Sequence, residues 1–86
     1  MTTTDYQPID CDQHSVLELL AMRRAQVSVA YQQDGAAPRH AEGIVVDVLT
    51  RRGAEFLVLA VGPERLAVRL DHLAAIYIGT DQVFPA

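Results

Sequence analysis

A chain of 86 residues, half of them apolar, has room for one domain and too much hydrophobic content for disorder to be the default. Its net charge of −4 comes from 11 acids against seven arginines and no lysine. Binding to a phosphate backbone is disfavoured, because that affinity comes largely from cations neutralising phosphates. One cysteine, Cys11, excludes an internal disulfide. The opening Met1-Thr-Thr-Thr-Asp5 has neither the basic start nor the apolar run of a leader, and no segment approaches the roughly 20 apolar residues of a membrane span. A soluble, cytoplasmic protein is expected.

The charge is unevenly placed. Residues 1–22 carry Asp5, Asp10, Asp12 and Glu18 and no base, whereas residues 23–86 balance seven acids with seven arginines. Residues 1–5 are polar and without periodicity, which predicts a flexible tail. Pro8 clashes with a helical Gln7 and predicts an extended arm over residues 6–12. A helix is expected over 13–23, where Val16, Leu17, Leu20 and Ala21 recur at helical spacing with Leu19 beside them. Two starts compete: Asp10 or Asp12 as an early cap, or Ser15 with Glu18 as a reciprocal capping box. Arg23 and Arg24 then fall near the C-terminal end of the helix dipole.

Strand signals follow. Ala25–Tyr31 alternates and stops at the turn dipeptide Asp34-Gly35; Gly43–Thr50 is β-branched and apolar enough to be buried on both faces. Arg51-Arg52-Gly53 turns into Glu55–Val61, and Gly62-Pro63-Glu64 turns into Arg65–Leu70, whose alternation points Leu66, Val68 and Leu70 inward. After a short turn at Asp71-His72-Leu73, Ala75–Ile78 reads as the last strand. One helix and five short antiparallel strands over 25–78 predict a single mainly β domain spanning 1–86, a small five-stranded SH3-like or Sm-like barrel, with an OB-type barrel second.

Few residues carry chemistry. Cys11-x-x-His14 has metal-ligand spacing, but a zinc site needs four ligands and His40 and His72 stand isolated. The acids around Cys11 raise rather than lower a thiol pKa, which argues against a nucleophile, and no glycine-rich phosphate loop is present. No enzyme activity, metal or cofactor is expected. Asp10, Asp12 and Glu18 have two readings: stabilising a helix N-terminus, at about 0.3–1 kcal/mol each, or forming a surface for a basic partner. Dipole stabilisation does not explain why the whole net charge gathers there. Arg51-Arg52 reads as a solvated hairpin tip. Tyr6, Tyr31 and Tyr77 read as packing residues rather than base-stacking ones, and Arg65 and Arg69 as partners of nearby acids.

Tyr6-Gln-Pro-Ile-Asp-Cys-Asp12, followed after a short spacer by Leu17-Glu-Leu19, resembles the signature of the Rho-binding antiterminator family, Rof, also described as modulators of Rho-dependent termination. Glu55-Phe-Leu-Val, Arg69-Leu-Asp71 and Ile78-Gly-Thr80 are similar to its later strands and turns. The resemblance implies an Sm-like barrel with an N-terminal helix. It also implies a monomeric protein ligand that binds the N-terminal RNA-binding domain of the hexameric helicase Rho and obstructs RNA loading. On this reading Asp10, Asp12, Gln13, His14 and Glu18 form the partner-binding surface, with the acids in the direct role, while Pro8, Ile9 and Cys11 fix the arm against the barrel. Acids common in the family just after the Cys-Asp pair are replaced here by Gln13 and Ser15, and an aromatic by His14. An Sm-like RNA-binding module and an oligomeric structural subunit are the alternatives.

Overall fold

The computed structural model describes residues 7–86; the expected tail over 1–5 and Tyr6 of the expected arm lie outside the described residues. Asp10 starts the helix. Its Oδ1 accepts the Gln13 amide at 2.9 Å, satisfying one of the donors that a first helical turn leaves without an internal partner. Helix α1 therefore runs Cys11–Met22, beginning two residues before the expected 13, and Ser15 sits inside it. At the other end the Ala25 amide returns to the Leu20 carbonyl and the Arg24 amide to that of Ala21. This is the Schellman closure, with Arg24 at φ 51° in the left-handed position that glycine usually fills.

The chain then forms β1 (Gln26–Tyr31), β2 (Arg39–Arg51), β3 (Ala54–Val61) and β4 (Glu64–Arg69), a 3-10 turn at Leu70–His72, and β5 (Leu73–Ile78) and β6 (Asp81–Phe84). All pair antiparallel in one sheet of order β4-β3-β2-β1-β5-β6. The 13-residue β2 serves both halves, facing β1 through Arg39–Ile44 and β3 through Ile44–Arg51. A bulge between Val45 and Asp47 lets one strand change partners, because an extra residue bends and twists it. Gly43 sits where β2 passes over β3: a Cβ there would lie 2.4 Å from the Ala60 carbonyl oxygen, so no side chain fits.

The structure corrects the expected five-stranded closed barrel in two respects. Among the described residues there are six strands, and the sheet is open, with β4 and β6 at its edges. The sixth strand is four residues long and begins with two exposed polar residues, Asp81 and Gln82, so it carries little periodicity. Curvature nevertheless remains. Strands in a sheet lie about 4.7–4.9 Å apart, so β4 and β5, four places apart in the order, would be roughly 19 Å from each other on a flat sheet. Only Leu70–His72 joins them, and a 3-10 turn rises about 2 Å per residue, or roughly 6 Å in all. The sheet has to curl strongly for so short a link to reach.

Inside the curl lies one cluster of buried side chains: Leu17 and Leu20 from α1, Val27 and Val29 from β1, Val45, Ala54, Leu57, Leu59, Leu70, Ile76 and Phe84. Leu17 has no exposed surface, so α1 is part of the core and not an appendage. No helix among the described residues is long and apolar enough to cross a membrane.

Candidate functional site

Helix α1 divides cleanly into two faces. Val16, Leu17, Leu20 and Ala21 turn toward the sheet, while Cys11, Asp12, Ser15, Glu18, Leu19 and Met22 are exposed along the opposite stripe. Spacings of three and four place those six on one side of the helix. The exposed stripe is therefore not only acidic: Leu19 is 43% exposed and Met22 is 80% exposed. Met22 also lines, with Glu18, Ala21, Asp47 and Val48, a groove of about 320 Å³ between α1 and β2. Two carboxylates from different elements thus flank an apolar floor.

The five residues expected to meet a partner have different surroundings. Asp12 is exposed and makes no hydrogen bond or ion pair among the described residues. Glu18 is 58% exposed, with Oε1 3.5 Å from His14 Nδ1. Asp10 is exposed, but its carboxylate is engaged as the helix cap. Gln13 turns inward on the C-terminal segment: its Nε2 donates to the Ala86 carbonyl at 3.0 Å, and its Oε1 accepts the Ala86 amide at 2.7 Å. His14 is half-buried, its Nε2 2.7 Å from Glu55 Oε2 on β3. The imidazole lies between two carboxylates and ties the helix to the sheet.

The arm is fixed differently from expectation. Ile9 is half-buried against the core, as read, but Pro8 and Cys11 are exposed, so the thiol does not pack the arm down. Cys11 starts the helix on its outer side, which a cap at Asp10 dictates. The fixing contact is instead Asp71, whose Oδ2 accepts the Gln7 amide at 3.1 Å and Arg69 Nη2 at 2.6 Å, while Oδ1 accepts Arg69 Nε at 2.9 Å. The Arg69 hydrogen bonds hold the Asp71 carboxyl below its ordinary value of 3.8, against the opposing effect of burial, with help from the Gln7 amide and the charges of Arg69 and His72.

Sequence reasoning missed Leu19, Met22 and Asp47 as members of this surface. The helical spacing of the first two from Ser15 could have found them; Asp47 could not be found, because the bulge that places it leaves no mark in the sequence. Among the described residues no group of three or more His, Cys, Asp or Glu side chains is arranged to hold a metal ion, and His14, the second half of the Cys11-x-x-His14 pair, is turned to Glu55.

A family model described as "Modulator of Rho-dependent transcription termination (ROF)" matches residues 8–83, which takes in α1, the groove and all but the end of the sheet. No curated protein matches the chain significantly.

Proposed function

The chain belongs to the ROF family of modulators of Rho-dependent transcription termination, and from that premise we propose that it acts as a non-catalytic ligand of Rho. It docks the exposed face of α1 on the N-terminal RNA-binding domain and keeps RNA from loading. The observation that carries this reading is the outer stripe of α1, where Asp12 and Glu18 accompany the exposed side chains of Leu19 and Met22. A surface shaped for RNA phosphates is basic, so carboxylates steer the encounter and set its orientation. The apolar side chains supply area to bury once contact is made.

Asp47 supports the same reading. It adds a carboxylate on the far side of the groove from Glu18 and so offsets the acids absent at Gln13 and Ser15. Within this proposal Asp12, Glu18 and Asp47 make direct contacts, whereas Asp10, Gln13 and His14 position the helix that presents them.

The test is titration into Rho of wild type and the double variant Asp12→Lys with Glu18→Lys, using a pyrimidine-rich RNA as competitor. Wild type displaces the RNA and binds more weakly as salt rises. The double variant binds about tenfold or more weakly, mainly through slower association. Equal binding by the folded variant would remove the α1 face from the interface.

A further inference from the structure

The sheet face away from α1 carries a second surface of opposite character. Leu57 and Leu59 point into the core, so by alternation Phe56 and Val58 of β3 point to the other side. In the strand registers Leu49 stands opposite Phe56, and Ala67 of β4 opposite Val58. With Arg51 these four line a hollow of about 240 Å³. A second hollow of about 190 Å³ shares Phe56 and Ala67 and reaches Arg69. The apolar floor thus lies against β4 and is rimmed by arginines.

β4 is the terminal strand of an open sheet, so its outer edge presents peptide N–H and C=O groups without a strand partner among the described residues. Arg65, Ala67 and Arg69 alternate along it on the side of the hollow. Two copies of this edge pair badly with each other. Antiparallel self-pairing centred on Ala67 sets Arg65 opposite Arg69 of the second copy, and like charges directly opposite are destabilising. The same alternation favours a strand that carries an acid opposite Arg65 and an apolar residue two positions on, over Ala67. Arg69 already grips Asp71, whereas among the described residues the exposed Arg65 side chain makes only a 3.5 Å bond to the Glu64 carbonyl.

We propose that the β4 edge and the adjoining hollow form a docking site for an extended acidic peptide of a partner protein, added as a seventh strand. Its main chain pairs with β4, an acidic side chain meets Arg65, and an apolar side chain fills the space over Leu49, Phe56, Val58 and Ala67. A peptide fits better than a nucleic acid because its backbone pairs with both the N–H and the C=O groups of the edge, whereas a phosphate backbone offers acceptors only. Phe56 is also half-buried as the floor of the hollow rather than raised as a stacking platform. This site is independent of the α1 face.

The experiment is a titration of isotope-labelled protein, followed by NMR, with the capped peptide Glu-Val-Phe-Val-Glu, its counterpart Lys-Val-Phe-Val-Lys, and a single-stranded pyrimidine RNA. The acidic peptide shifts the amides of β4 and of Phe56 at submillimolar concentration, and Arg65→Glu weakens it about tenfold or more while leaving the protein's own spectrum folded. Ala67→Trp, which fills the hollow, abolishes the same shifts. Binding of the lysine peptide with equal strength, the RNA moving those amides instead, or no shift at millimolar acidic peptide would each overturn the proposal.

Discussion

Asp71 shows how one carboxylate can fasten three parts of a small chain. It accepts from Nε and Nη2 of the Arg69 guanidinium and from the Gln7 amide, so it joins the 3-10 turn, the edge strand and the arm that leads into α1. Hydrogen bonds to a charged group contribute about 1.5–3 kcal/mol each when lost singly. Asp71→Asn keeps the shape and loses the charge, and should lower unfolding stability by roughly that amount at neutral pH. Because the folded carboxyl titrates below its ordinary value of 3.8, its contribution is present above that value and disappears as pH falls through the lower folded one. The stability gap between wild type and Asp71→Asn, measured by denaturant unfolding, should be flat from pH 7 to 5 and close only below pH about 4. A gap that closes already near pH 6 would mean that the Asp71 carboxylate does not govern it.

At the scale of elements, α1 depends on its cap. The Asp10 side chain supports the helix start, and its charge also faces the outer surface, so capping and recognition can be separated by substitution. Asp10→Ala should cost about 1 kcal/mol of stability, whereas Asp10→Ser or Asp10→Asn should recover most of it. Rho affinity that follows stability across the three variants marks Asp10 as a positioning residue; affinity lost equally in all three marks a direct charge contact. Much of α1 was legible in the sequence, since Leu17 and Leu20 announced the buried stripe and both ends carry local signals. Its start was ambiguous because Asp10, Asp12 and Ser15 are all competent caps, and only the arm's attachment through Gln7 to Asp71, 64 residues away, favours the first. The four hairpin-linked strands were legible from alternation and turn glycines. Strand β6 was not, because a four-residue strand whose first half is polar carries no period to read. The inward turn of Gln13 and His14 was equally hidden, as their partners Ala86 and Glu55 are remote in sequence.

For the whole molecule, the uneven charge noted in the sequence becomes a polarity of surfaces. Carboxylates stand along the outer stripe of α1, while Arg51, Arg65 and Arg69 stand along the sheet face away from the helix. Closure of the sheet was the main point on which pattern failed: counting strands favours a barrel, but whether two edges meet is decided by their register and by the length of the link between them. The strand order also bears on how the chain reaches this shape in time. Among the described residues four of the five pairings join strands adjacent in sequence, and only β1 with β5 joins distant ones, setting Ser28 beside Tyr77. Closing a loop of that size costs entropy before any contact across it is gained, and folding rates fall as such contacts weigh more. Ile76, fully buried opposite Val29, sits at that seam. Trimming it by one methyl, as Ile76→Val, removes about 0.5–1.5 kcal/mol; in stopped-flow measurements the loss should appear as slower refolding with the unfolding rate nearly unchanged. A loss seen only in faster unfolding would place the seam after the barrier. On this view the hairpins β1 to β4 are the early, reversible part of folding, and the return of β5 to β1 is the step that commits the chain.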